Sequence, residues 1–227
     1  MFYWDWTMIL LLPGLLLGLW AQFRVSSTFK KYGRVLTQRG CTANEVARAL
    51  LNEGGCGNVS IRETAGTLTD HYDPRSNTLR LSDSVSGQRS VAAIGVAAHE
   101  CGHALQQRDG YGPLKLRSVL VPVVNIGSNL YFPLFLLGIV FSWEPLLYVG
   151  IACFSLTLLF SLVTLPVEFN ASNRAIGLLE SGGYLTREEI SGARAVLNAA
   201  ALTYVASFVS SLLQLLRLLL IARNRRD

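Results

Sequence analysis

The sequence predicts an integral membrane protein, mainly α-helical with one small β-sheet, that combines three to four transmembrane helices with a small polar domain. Three observations carry this expectation. Four stretches of the chain are almost purely apolar, most of the charge is gathered in one window, and that window alternates helix-like with strand-like patterns. Hydrophobic side chains make up 51% of the 227 residues and charged ones 15%, against roughly 25% charge in soluble domains. With a mean hydropathy of +0.36, the composition excludes an ordinary cytosolic globule. It equally excludes a disordered chain, which needs low hydrophobicity. The net charge of +5 raises nucleic acid as a partner. The cations, however, follow apolar stretches and are interleaved with Asp and Glu, as a membrane protein places them.

The first apolar stretch, Trp6 to Phe23, carries no charge and is long enough for a bilayer helix, which needs about 20 residues. A secretory signal would need a basic leader and a small-residue cleavage site. Here the leader Met1 to Asp5 is aromatic and acidic, and the cations Arg24, Lys30, Lys31, Arg34 and Arg39 come afterwards. Residues 1–23 therefore read as an uncleaved anchor with its N-terminus outside and the following segment in the cytoplasm. Trp4, Trp6 and Trp20 fall near its ends, where aromatic belts form.

Residues 24–117 form the expected cytoplasmic domain. Thr42 and Glu45 make a capping box ahead of Val46, Ala47, Leu50 and Leu51 at helical spacing, and Gly54-Gly55 stop the helix. Short alternating runs follow at Val59 and Ile61, from Leu68 to Tyr72, and from Thr78 to Leu81. The last two are joined by the turn-forming Asp73-Pro74-Arg75-Ser76-Asn77 into a hairpin. From Ser90 to Gln107 the pattern becomes a long helix rich in small residues.

Residues 118–167 read as a membrane hairpin turning at Ser142-Trp143-Glu144-Pro145, and 168–198 as a cytoplasmic segment opening with a helix at Glu168. Residues 199–227 form an apolar helix with a basic tail, Arg223-Asn224-Arg225-Arg226. Spanning would put that tail outside, against the charge rule, so the sequence leaves open whether this stretch spans, re-enters or lies along the interface. The four cysteines, Cys41, Cys56, Cys101 and Cys153, match neither a zinc knuckle nor a redox pair and read as free thiols.

The long helix contains His99-Glu100-Cys101-Gly102-His103, an H-E-x-x-H. Histidines four apart stand one turn above each other, so both imidazoles can reach one zinc ion. Glu100 is angled toward a zinc-bound water and can serve as general base. Two of the chain's three histidines fall in this motif, and Gly102 leaves room for another backbone to approach. The polar domain thus takes a zincin-like plan of helix, short sheet and H-E-x-x-H helix. A catalytic zinc needs a third protein ligand. His71 lies beside the hairpin turn, Asp109 is too close to His103 to fold back, and Glu144 is on the opposite side of the membrane. Glu168, an acid at the end of a span that needs a partner, is the expected third ligand. Arg174, His71 and Tyr204 are candidates for stabilising an oxyanion.

His99-Glu100-Cys101-Gly102-His103-Ala104, with His71-Tyr72-Asp73-Pro74, Ser90 to Ala98, Glu168-Phe169-Asn170-Ala171-Ser172 and Ala199 to Val205, resembles the YugP-like neutral zinc metallopeptidases of bacterial membranes. The resemblance covers most of the chain and implies a membrane zinc peptidase without naming its substrate; the expectation is a multi-pass protein of the inner cell membrane that holds one Zn²⁺ and acts on a peptide or protein. More distantly the plan is similar to the HtpX-like and CAAX prenyl protease group, where an aspartate stands four residues after the third-ligand glutamate. Here that position is Ser172, and Asn170 or Asn173 could supply the missing support for a zinc histidine by hydrogen bonding.

The expected function is membrane zinc endopeptidase of the gluzincin type, with His99, His103 and Glu168 on the metal and Glu100 as base. The competing class is a catalytically inactive membrane adaptor that retains a zinc site. Ligand completeness discriminates the two, because structural sites are closed by four protein ligands, often Cys, and Cys101 faces away from the histidines. A transporter is disfavoured by the scarcity of polar groups facing one another within the spans.

Overall fold

A computed structural model describes residues 6–224. Trp4 and the tail residues Arg225 and Arg226 lie outside them. A 3₁₀ stretch, Trp6–Leu11, leads into α1 (Leu12–Tyr32), followed by α2 (Ala43–Glu53), β1 (Ser60–Thr64), β2 (His71–Asp73), β3 (Thr78–Ser82), α3 (Val91–Arg108), α4 (Gly112–Val140), α5 (Glu144–Ser181) and α6 (Arg187–Arg223). Four of these helical segments are long and apolar enough to cross a membrane. The chain is a mainly helical membrane protein with a three-stranded sheet.

The chain divides into two compact units. One holds the residues up to Gln22, Lys115–Pro166 and those from Leu202 onward; the other holds Phe23–Leu114 and Val167–Ala201. In the first, α4 and α5 approach closely because Gly138 and Gly150 present bare backbone. A Cβ at Gly138 would lie 2.6 Å from the Leu147 nitrogen, and one at Gly150 would lie 2.7 Å from the Phe135 nitrogen. Small residues serve helix pairs in this way where lipid removes any hydrophobic force between them. Around that seam Phe135, Leu147, Ile151, Phe154, Leu218 and Ala222 form one apolar cluster.

One expectation is corrected here, and one question left open is narrowed. The helix expected to open at Glu168 does not start there, because α5 runs unbroken through Pro166. Its 38 residues span about 57 Å, nearly twice the roughly 30 Å hydrocarbon thickness. One helix therefore supplies both the apolar stretch and the polar segment beyond it. The last apolar stretch, left open from sequence, belongs to the single helix α6 of 37 residues, whose unbroken course leaves no re-entrant turn.

In the second unit α2 begins as expected. Thr42 Oγ1 accepts from Glu45 N at 3.3 Å, and Glu45 Oε2 accepts from Thr42 N at 2.8 Å. Strand order is β1-β3-β2, with β1 parallel and β2 antiparallel to β3. The hairpin forms, but its first strand is shorter and later than the Leu68 to Tyr72 run suggested. Leu68 has a positive φ of 55°, which a strand cannot accommodate, and residues 65–70 form a loop instead. Gly66 N and Leu68 N donate to the Asp83 carboxylate and the Ser84 hydroxyl. The core gathers Leu50, Leu51, Leu79, Leu81, Ile94 and Leu179, all fully buried. Each contributes about 1.5–3 kcal/mol by burial. All four cysteines are free thiols.

Candidate active site

Ser90 caps α3, its hydroxyl accepting from Ala93 N, and the run of small side chains that follows is almost wholly buried. Small residues let neighbouring helices close on α3. A Cβ at Gly95 would meet that of Ala193 at 3.3 Å, and one at Gly102 would lie 2.5 Å from the carbonyl oxygen of Ala171. Gly102 is thus the point where α3 and α5 touch backbone to backbone, the role its place in the motif suggested.

That contact sets α5, which carries Glu168, against the histidine pair. His99 Nε2 lies 3.2 Å and His103 Nε2 3.6 Å from the same oxygen, Oε2 of Glu168. One ligand atom from each of the three residues lies within 4.8 Å of the others. Tetrahedral zinc with nitrogen and oxygen bonds near 2.0–2.2 Å holds its ligand atoms about 3.3 Å apart, so two of the three separations already fit. Two imidazoles and one carboxylate are also a donor set zinc accepts. Glu168 is 2% exposed, and a carboxylate so deeply placed needs charged or donor partners. Burial presses His103 toward its neutral form, but hydrogen bonding to Glu168 and the charges of Glu100 and Glu168 outweigh it and raise its pKa.

Glu100, 8% exposed, accepts the backbone N–H of Tyr72 on its Oε2 at 3.0 Å, which lays the edge strand β2 alongside the motif. Cys101 turns the other way, its thiol 3.6 Å from the Ala47 carbonyl, and full burial pushes its pKa up. It is a packed, unreactive thiol rather than a ligand.

The remaining candidates separate plainly. His71 is exposed, with Nδ1 2.9 Å from the Thr69 carbonyl, and is not part of the donor cluster. Arg174 is engaged by Asp109 and by Asn170 Oδ1, the latter at 2.8 Å. Hydrogen bonds from Arg174 and Arg108 hold the Asp109 carboxyl below its usual range. Tyr204 belongs to the other compact unit. The support expected from Asn170 or Asn173 is met at His99 by Ser172 itself, whose Oγ lies 3.1 Å from His99 Nδ1. Asn170 enters indirectly. Its Oδ1 accepts from Gln106 Nε2 at 3.0 Å, and Gln106 Oε1 lies 3.0 Å from His103 Nδ1. Sequence reasoning missed Gln106. Its signal was an amide three residues after His103, one turn on along the same helix face.

Fold and site together define a class: a multi-helix membrane protein whose polar unit carries a zinc-peptidase-type helix facing a buried glutamate. The family model described as "Putative neutral zinc metallopeptidase" matches residues 7–223, and the chain belongs to that family. It is 47% identical over 211 residues, 93% of this chain and 94% of the relative, to "Putative membrane protease YugP" of Bacillus subtilis (strain 168). Zinc is accordingly its metal. No solved structure matches the chain.

Proposed function

We propose that this protein is an integral-membrane zinc endopeptidase of the gluzincin type, with His99, His103 and Glu168 as metal ligands and Glu100 as general base. The observation that carries the reading is the convergence of three ligand atoms on one point, with Glu100 next to the first ligand. Three protein ligands suit a catalytic zinc, which keeps its fourth position for water or substrate. Bound there, zinc would acidify a water and polarise the scissile carbonyl. Glu100 takes the proton of the attacking water and returns it to the leaving amine. Tyr72 N–H holds the Glu100 carboxylate in place until substrate arrives. An extended peptide adds to the open edge of β2 by backbone hydrogen bonds and so runs past Glu100. Burial of the donors excludes bulk water and strengthens each electrostatic contact.

The active site faces the cytoplasm of the inner cell membrane, a reading supported by Lys30, Lys31, Arg34 and Arg39 after the first apolar stretch. Glu168 stands two residues beyond Pro166, at the close of the third apolar stretch, so the substrate is cut near the bilayer surface.

The test is zinc analysis of the purified wild type, Glu168→Ala and Glu100→Gln, each assayed on an unfolded protein. Loss of metal in the first, and loss of hydrolysis with metal retained in the second, is the expected pattern. Full activity in Glu100→Gln would overturn the base assignment, and a wild-type zinc content in Glu168→Ala would overturn the third ligand.

A further inference from the structure

We infer that Gln106 is a positioning residue that fixes the tautomer of His103 and presents its Nε2 to the metal. The inference rests on His103 being a zinc ligand, and the geometry carries it from there. Gln106 is fully buried, although a glutamine in an apolar helix core costs free energy unless its amide is satisfied. It is satisfied on both ends. Nε2 donates to the Val167 carbonyl at 2.8 Å and to Asn170 Oδ1 at 3.0 Å, while Oε1 faces His103 Nδ1 at 3.0 Å.

The direction of this chain is decided by two groups that have no choice. A peptide carbonyl can only accept, so Gln106 must turn its NH₂ toward Val167. The Arg174 guanidinium can only donate, and its Nε lies 2.8 Å from Asn170 Oδ1, which fixes the asparagine oxygen as the shared acceptor. Gln106 Oε1 is then left to face the imidazole. An amide oxygen can only accept, so His103 Nδ1 must carry a proton, and Nε2, the atom 3.6 Å from Glu168 Oε2, is the one left to bind metal. The other histidine has no such lock. Its Nδ1 meets the hydroxyl of Ser172, which can donate or accept. The two ligands of one motif are thus held differently, with the second fixed by a chain that ends on the backbone next to Glu168.

The wild-type experiment is ¹⁵N NMR of the zinc-loaded protein with labelled histidine. The chain has three histidines, so the side-chain signals can be assigned by single substitution. His103 is expected to bind zinc through Nε2 and to show an Nδ1 proton protected from solvent exchange. Zinc on Nδ1 would overturn the proposal. This measurement needs no change at Gln106 and stands even if a Gln106 variant fails to fold. In Gln106→Met, which keeps length without hydrogen bonds, the zinc dissociation constant measured against a competing chelator should rise about 10- to 100-fold. The Nδ1 proton should exchange quickly. Unchanged affinity and unchanged exchange in that variant would overturn the role of Gln106. His103→Ala separates the two levels. Wild-type zinc affinity there would overturn the ligand reading itself, whereas lost affinity there beside wild-type behaviour in Gln106→Met would overturn only the positioning role.

Discussion

Replacing Gly102 with alanine asks how closely the donor cluster depends on one backbone contact. The added Cβ would stand 2.5 Å from the Ala171 carbonyl oxygen, where real contacts stay at or beyond 3.0 Å. Backbone cannot swing aside as a side chain can, so α3 and α5 must part by at least about half an ångström. Alanine gains about 1 kcal/mol of helix propensity over glycine, against roughly 1–3 kcal/mol for overpacking. The net change in stability is therefore small, roughly 0–2 kcal/mol of loss. The donor cluster is less forgiving. His103 adjoins Gly102, His99 lies one turn before it, and Glu168 lies one turn before Ala171, so the displacement falls directly on separations of 3.2 and 3.6 Å. Sites of this kind tolerate about 0.5 Å, and displacements near 1 Å cost up to about a hundredfold. Zinc affinity and hydrolysis should each fall about tenfold or more, while the melting temperature of the metal-free protein moves little. Gly95→Ala is the control. Its Cβ meets a side-chain carbon of Ala193 in α6 at 3.3 Å, away from α5, and zinc affinity should stay within about twofold. Zinc binding unchanged in Gly102→Ala but weakened in Gly95→Ala would refute the reasoning.

Thr42→Ala removes the capping box of α2 and should cost about 0.5–2 kcal/mol, read as a lower melting temperature with zinc affinity intact; an unchanged melting temperature would refute the cap. Tyr184 donates to Glu53 Oε1 at 2.5 Å, and that hydrogen bond, with burial and the Glu53 charge, pushes its pKa up to about 12. A raised phenol pKa gives stability that is complete below the unfolded value of about 10 and is lost as pH climbs through the folded one. Tyr184→Phe should therefore flatten the alkaline loss of stability between those values, and a melting curve as pH-dependent as the wild type's would contradict it. For orientation in the membrane, an impermeant maleimide should label Ser142→Cys in intact cells and Thr67→Cys only after permeabilisation, above the wild-type background; the reverse pattern would place the site outside.

The parts of this protein legible from sequence are those governed by local rules. The capping box at Thr42 forms as written, the helix that carries the motif runs over Val91–Arg108, close to its expected bounds, and the turn at 73–77 joins an antiparallel pair. Glu168 reaches the histidines, an expectation that rested on the cost of a lone acid at the end of a span. What stayed hidden depends on neighbours distant in sequence. The Leu68 to Tyr72 alternation looks like strand, yet Asp83 and Ser84, more than a dozen residues on, capture the loop's N–H groups and shorten the strand to three residues. Pro166 reads as a helix boundary, but in an apolar helix the missing N–H can be tolerated. Gln106 was invisible because its value lies in Val167 and Asn170, 61 and 64 residues away.

The same long-range contacts hold the three donor groups together. A carboxylate between two imidazoles is a weak device for holding two helices together, since its attraction must repay the desolvation of the acid. Here three further restraints act on the same short segment of α5. Gly102 admits the Ala171 backbone, Gln106 grips the Val167 carbonyl one residue before Glu168, and Ser172 meets His99 one turn after it. Each restrains the helix rather than the Glu168 carboxyl group itself, so the free energy of ordering is spent when the chain folds. Binding that finds its ligands already placed loses less to entropy. The chain thus relies on packed small residues and one buried amide to bring the three donor groups together.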